Sequence, residues 1–198
     1  MRCRRIAIDM DEVIADALSE HLERASRVLG RPLTIDHVRG RPIELAVPPS
    51  AKHAVINLLD ASFFENLAVM PDAQEVVREL TSVHEVFIAT AAMDVPCSFE
   101  AKFRWLQEHF PFIAPSHIVF CGDKSVLHVD DLIDDSPRHF ERFRGRGILF
   151  SAPHNCHETR YVRVDSWQDV RRLYFGNQPR HRLAMMETSD GGSPSAFA

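Results

Sequence analysis

The stretch Arg5-Ile6-Ala7-Ile8-Asp9-Met10-Asp11-Glu12-Val13-Ile14-Ala15-Asp16, RIAIDMDEVIAD, decides the fold. Its first half is a continuous apolar run of strand length, the pattern of a strand covered on both faces rather than one with a wet side. It then delivers two carboxylates two residues apart. Anions brought that close repel each other unless a cation sits between them. A buried strand that carries paired acids to its carboxyl end fits a parallel α/β sheet, where ligands collect at the carboxyl ends of the strands.

Working outward, further strand-like runs lie at 84–90 (HEVFIAT), 117–122 (HIVFCG), 130–135 (DDLIDD), 147–151 (GILFS) and 161–164 (YVRV). Helical patterns alternate with them. PDAQEVVRELTSV (71–83) places Ala73, Val76, Val77 and Leu80 on one face. SFEAKFRWLQEHF (98–110) offers Ser98 as a cap and Phe99, Phe103, Leu106 and Phe110 as the apolar set, and Ser166 can cap WQDVRRLYF. The alternation predicts a three-layer, Rossmann-like α/β fold: a mainly parallel sheet with helices on both sides. Residues 16–70 break the rhythm, with helical pieces, several prolines and no convincing strand, and read as a small helical cap inserted after strand one. The expected organisation is a core of 1–15 and 71–185, a cap of 16–70, and a disordered small-residue tail of 186–198.

Bulk properties limit the function. The 198 residues, 45% hydrophobic and 26% charged, suit one globular domain. A formal net charge of −5 gives no general attraction to a nucleic-acid polymer, and the basic clusters at 138–147 and 171–182 read as solvated faces. No apolar run is long enough to span a membrane, and the N-terminal stretch lacks the apolar segment of a secretory signal, so a cytoplasmic protein is expected. Cys3, Cys97, Cys121 and Cys156 are scattered, without a disulfide or zinc pattern. His154 and His157 lack further ligands at metal-binding spacing, and a histidine bonded to backbone is expected there. Lys102, on the helix after strand two, could reach the edge of the site, but it reads as a surface ion-pair partner of Glu108 or another acid.

The chemistry lies at the strand ends. Asp9 and Asp11 follow strand one, Thr90 ends strand two, Lys124 follows the third and Asp134-Asp135 end the fourth. Carboxylates converging on one crevice imply a hard divalent cation, and Mg²⁺ suits few protein oxygens completed by water and phosphate. In such a site one carboxylate can attack phosphorus while a neighbouring acid protonates the departing oxygen. Thr90 and Lys124 would bind and neutralise the phosphoryl group.

D-x-D-x-V at Asp9 to Val13, Thr90, Lys124 and Asp134-Asp135 resemble the four motifs of the haloacid dehalogenase superfamily of phosphotransferases. More narrowly, DMDEVIAD, FFENLAVMPDAQEVVREL, VFIATAAM and LIDDSP resemble the 5′(3′)-deoxyribonucleotidase family, from about Arg5 to Val170. The resemblance implies a Mg²⁺-dependent phosphomonoesterase with an aspartyl-phosphate intermediate, acting on a small-molecule nucleoside monophosphate. Asp9 would be nucleophile and metal ligand, and Asp11 the acid/base with its carbonyl on the metal. Thr90, its neighbour Ala91 and Lys124 would form the phosphate site. Asp135 would bind the metal directly, with Asp134 holding one of the metal's waters, and Phe63-Phe64 would face base or sugar. The chain departs from the better-known eukaryotic members at Ser136, where an arginine is usual, at Ala91, where a serine is usual, and at Ala17, where an aromatic is usual. The chemistry therefore transfers more safely than the substrate. A sugar phosphate or other small metabolite is the alternative substrate; a regulatory phosphoacceptor or an inactive binding module stands further off. Apolar helix faces near the C-terminus would permit a homodimer.

Overall fold

The computed structural model describes residues 2–176. The end of the expected core and the whole expected tail lie outside the described residues. Six strands form one sheet: β1 (Arg5–Ile8), β2 (Glu85–Thr90), β3 (Ile118–Phe120), β4 (Asp131–Asp134), β5 (Arg146–Phe150) and β6 (Val162–Val164). All neighbours pair parallel, in the order β3-β2-β1-β4-β5-β6. The order reverses at β1: the chain first builds outward to β3 and then returns to lay β4 on the other side. That reversal opens a crevice at the carboxyl ends of β1 and β4, the position where open α/β sheets bind ligands. β1 lies between β2 and β4 with Ile6, Ala7 and Ile8 fully buried, which is what its unbroken apolar run requires.

The helices are α1 (Ala17–Leu29), α2 (Pro49–Ile56), α3 (Ala61–Glu65), α4 (Ala73–Thr81), α5 (Phe99–His109) and α6 (Trp167–Phe175). One sheet face packs its Ile6, Ile8, Ile88, Ile133 and Ile148 against α4, α5 and α6 through residues such as Val77, Trp105 and Trp167. The opposite face, with Ala7, Ala89, Leu132 and Leu149, meets Phe140, Phe143, Leu127 and Tyr161. This second layer is made of 3₁₀ turns and loops, because segments 135–145 and 151–161 are too short for full crossover helices. Phe140 packs so closely that a Cβ on Gly147 of β5 would fall 2.6 Å from its ring.

Two local expectations are corrected. Ser98 does not cap α5: its backbone is already helical and its buried hydroxyl has no partner. The buried stripe of α5 is Ala101, Lys102, Trp105 and Leu106, with Phe99 and Phe103 only half-buried. The helix is rotated because Trp105 donates from Nε1 to the Leu67 carbonyl at 2.8 Å, which turns this face toward the end of the inserted segment. Ser166 does cap α6, its hydroxyl accepting from the Asp169 amide.

Residues 16–70 are helical, as their pattern suggests, with a small core of their own: Leu22, Ala25, Leu33, Val38, Ile43, Val47 and Val55. The segment leaves and rejoins the sheet domain through two adjacent backbones, with Asp16 N donating to Ala68 O and Met70 N to Ile14 O. At the far side, Gly40 N donates to Pro153 O at 2.8 Å. Gly40 adopts φ 71° there, and a Cβ would meet the His157 ring at 2.6 Å, so glycine is required at this seam. No described helix is long and apolar enough to cross a membrane, and the four cysteines are free.

Candidate active site

The first strand hands its last ladder bond to Asp9, whose amide donates to Ile133 O, and the chain then curls sharply. Met10 O accepts from the amides of Val13, Ile14 and Ala15, and Glu12 takes φ 58°. A non-glycine residue in the left-handed region costs of order 1 kcal/mol and persists only where its surroundings hold it. The loop is fastened by Trp167, whose Nε1 donates to Val13 O at 2.7 Å. This curl turns Asp9, Asp11 and Glu12 toward one cavity of about 550 Å³, which Ala91, Lys102, Asp135 and the Phe63-Phe64 pair also line.

Lys124 lies at the centre and is fully buried. Its Nζ donates to Asp9 and, at 2.5 Å, to Asp134 Oδ2. Asp134 is further held by His139 Nδ1 at 2.8 Å and by the Ser136 amide at 2.8 Å on its other oxygen. Asp135 has a looser setting: its carboxylate meets His154 Nε2 at 3.3 Å, while its carbonyl accepts from Asn155 Nδ2 at 2.7 Å. The expectation of a backbone-bonded histidine holds at His154, whose Nε2 also lies 3.2 Å from that carbonyl. Thr90 is fully buried at the end of β2. Ala91 continues beyond it onto the cavity wall, and Phe63 and Phe64, both nearly buried, belong to the main core while their edges reach the cavity.

The reading of Lys102 as a surface ion pair is overturned. Lys102 is 2% exposed, and its Nζ donates to Asp11 Oδ2 at 2.5 Å and to Thr90 Oγ1 at 3.0 Å. Its ammonium also lies 4.6 Å from the centre of the Phe64 ring. A second cation thus joins the site from α5. The sequence signal was its place on the helix that follows β2, from which it could reach the edge of the site. Glu12 and His139 were also missed; a single acid inside the D-x-D-x-V run and a histidine in a basic stretch carry no pattern of their own.

Charge is unbalanced here. Five carboxylates, Asp9, Asp11, Glu12, Asp134 and Asp135, face two ammonium groups. Burial pushes Asp9 up to about 6 against the pull of Lys124. Burial, then Asp11 and Asp9, push Glu12 up to about 8. Asp135 is raised by burial and by Glu12 and Asp134. Burial also opposes ionisation of Asp134, yet Lys124 and His139 hold it below the usual range. Oxygens of Asp9, Asp134 and Asp135 lie within 4.8 Å of one another, and the buried Asp11 Oδ1 has no partner. A hard divalent cation fits this set, since it is drawn to oxygen donors and cancels their repulsion.

An apolar parallel sheet with two acids after strand one and two at the end of strand four, bridged by the buried Lys124, is the arrangement of a haloacid dehalogenase-like fold. Solved structures agree on the fold. A haloacid dehalogenase-like protein of Agrobacterium tumefaciens superposes with TM-score 0.59 at 16% identity, covering 94% of this chain and 100% of that one. A haloacid dehalogenase family hydrolase of Deinococcus radiodurans, with bound phosphate and sodium, gives 0.61 at 16% identity over 86% and 94%. Sequence comparison is narrower: residues 3–178 match the family described as 5′ nucleotidase, deoxy (pyrimidine), cytosolic type C protein. The chain belongs to that family and is a phosphoric monoester hydrolase. It is 38% identical to a 5′(3′)-deoxyribonucleotidase of Bacillus subtilis, over 84% of this chain and 96% of that one. It is 43% identical to a Staphylococcus epidermidis protein provisionally named a 5′(3′)-deoxyribonucleotidase, over 88% and 97%.

Proposed function

We propose that this protein is a Mg²⁺-dependent 5′(3′)-deoxyribonucleotidase that hydrolyses deoxyribonucleoside monophosphates through an aspartyl phosphate on Asp9. The observation that carries the reading is that buried Lys102 bonds Asp11 and Thr90 and buried Lys124 bonds Asp9, with Asp9, Asp11 and Lys102 lining the cavity. Lys124 fixes one oxygen of Asp9, and the other is the nucleophile: as its bond to phosphorus forms, the ester P–O bond breaks. Asp11 gives its proton to the departing nucleoside oxygen, then takes one from the water that attacks the phosphoenzyme and frees Asp9. Lys102 orients Asp11 through Oδ2 and leaves Oδ1 for that exchange. Lys102, Lys124 and the Thr90 hydroxyl stabilise the transferring phosphoryl oxygens, and Ala91 adds its backbone to that wall.

Mg²⁺, when bound, supplies positive charge between the carboxylates and the phosphoryl group. Asp9, the Asp11 carbonyl and Asp135 would hold it, with Asp134 acting through water. Asp135 is the better direct ligand because both oxygens of Asp134 are already engaged by Lys124, His139 and the Ser136 amide. Phe63 and Phe64 would face the nucleoside. Phosphate release from a panel of 5′- and 3′-ribo- and deoxyribonucleoside monophosphates and sugar phosphates, with and without Mg²⁺, tests the reading. Turnover that requires Mg²⁺, favours deoxynucleotides and vanishes in Asp9→Asn supports it. A preference for sugar phosphates would reassign the substrate and keep the chemistry.

A further inference from the structure

Resting on the reading of Asp135 as a direct cation ligand, we infer that the turn Pro153-His154-Asn155 positions that ligand and ties it to the inserted segment 16–70. Seating of the segment and binding of the cation then reinforce each other. The turn follows β5 as a 3₁₀ turn, and Asn155 at its end is 4% exposed. Asn155 Nδ2 donates to the Asp135 carbonyl at 2.7 Å and to the Phe150 carbonyl at 2.8 Å. Its Oδ1 accepts from the Ala152 amide at 3.2 Å and from Arg163 Nη1 at 2.9 Å. Arg163, on β6, also donates to the Asn155 and Glu158 carbonyls, at 2.9 and 2.6 Å, so the turn moves as one piece. His154 Nε2 lies 3.2 Å from the Asp135 carbonyl and 3.3 Å from its carboxylate, which has no other partner among the described residues.

The other side of the turn carries the inserted segment. Gly40 N donates to Pro153 O at 2.8 Å, and a Cβ on Gly40 would meet the His157 ring at 2.6 Å and Cys156 Sγ at 3.8 Å. The carbonyl that Gly40 engages belongs to the same planar peptide unit as the His154 amide, so its orientation and the course of the chain through His154 are set together. Asp135 needs this support. Glu12, Asp134 and Asp9 all repel it, and a carboxylate pushed by three like charges and met by one histidine would otherwise turn away from the cluster. His154 and Asn155 are thus positioning residues for Asp135, and the Gly40 bond steadies both. Two states follow: a seated one with the Gly40 bond made and Asp135 presented, and an unseated one with that bond open. A cation that favours the first must strengthen the seam by the same factor by which the seam strengthens cation binding.

The test uses the full chain with Mg²⁺ alone, followed by calorimetric titration and by hydrogen exchange at single amides. In wild type, saturating Mg²⁺ is expected to slow exchange of the Gly40 amide by roughly 5-fold or more. The Met70 amide, which bonds Ile14 O where the segment rejoins the sheet domain, should slow less. Gly40→Ala, remote from every proposed cation ligand, is expected to weaken Mg²⁺ binding by roughly 5- to 50-fold, and Asn155→Ala by at least as much. Cooperative melting without Mg²⁺ shows that each variant folds; if either does not, the wild-type exchange measurement decides. Hydrolysis of p-nitrophenyl phosphate by Gly40→Ala should climb toward the wild-type rate as Mg²⁺ is raised, which general damage to the fold would not allow. Gly40 exchange that is the same with and without bound Mg²⁺, or an Mg²⁺ affinity unchanged in folded Gly40→Ala, overturns the coupling and leaves the nucleotidase reading intact. A wild type that binds no Mg²⁺ and hydrolyses deoxynucleotides without it defeats both the cation reading and the coupling.

Discussion

Strand β4, Asp131-Leu132-Ile133-Asp134, carries a fully buried aspartate at each end; both are held below the usual carboxylate range by their partners, but the surroundings of the two ends differ. Asp131, at the amino end, is saturated by cations. Arg4 grips it with two bonds of 2.6 and 2.8 Å, Arg146 with two of 2.9 and 3.2 Å, and the Tyr174 hydroxyl donates at 2.9 Å. Burial would raise its pKa, and these donors hold it below the usual carboxylate range. At the carboxyl end, Asp134 shares Lys124 with Asp9 and stands in a crowd of further acids. A buried charge that the protein itself satisfies is structural. An excess of buried charge that it leaves uncompensated costs stability and marks a place where a ligand completes the balance.

The sharpest way to break this comparison is to remove one acid from each end. Asp9→Asn is expected to lower kcat by at least about 10⁴-fold, because no other side chain would replace Asp9 as the proposed nucleophile. In denaturant unfolding without divalent cation it should keep wild-type stability or gain some, since a repelling carboxylate is gone. Lys102→Met should cost roughly 100-fold in kcat/KM by removing a cation from the phosphoryl group and the anchor of Asp11. A variant within threefold of wild type would refute that role.

At the other end, Asp131→Asn should leave turnover near wild type and lower unfolding free energy by about 2–3 kcal/mol. This is below the usual cost of breaking a buried pair, because Arg4 and Arg146 are partly exposed and can reach water. For a domain of this size the melting temperature would fall by roughly 5–10 °C.

The smallest effect should be a pH dependence that differs between the ends. Asp9 and Glu12 have folded pKa values raised to about 6 and about 8, so they penalise the metal-free fold as pH rises through the range between unfolded and folded values. Metal-free stability should therefore increase as pH is lowered from 8 toward 5. Asp131, depressed in the fold, contributes stability that is complete above its unfolded value and is lost as pH falls through its folded one. Mg²⁺ should raise the melting temperature most above pH 6. A Mg²⁺ shift independent of pH, or one retained in Asp135→Asn, would contradict the assignment of the carboxyl end as the cation site.

Much of this contrast was legible in the sequence at the carboxyl end. Asp9, Thr90 and Asp134-Asp135 follow unbroken apolar runs, and a parallel strand covered on both faces must end where its polar residues begin. Lys124 could be placed by the short reach from β3. Lys102 could be brought only to the edge of the site, since one lysine on an amphipathic helix looks solvated until the neighbours of that face are known. Asp131 was hidden for a related reason: its partners Arg4, Arg146 and Tyr174 come from three distant segments, and none of them carries a local signature.

The sequence by itself determined the parallel sheet, the inserted helical segment and the set of acids, because hydrophobic period and strand length are local properties of the chain. Only the tertiary structure decided which charges are paired and which are left in excess. Pairing depends on distances of a few ångströms between residues far apart in sequence, as in the 2.5 Å contact of Lys102 with Asp11.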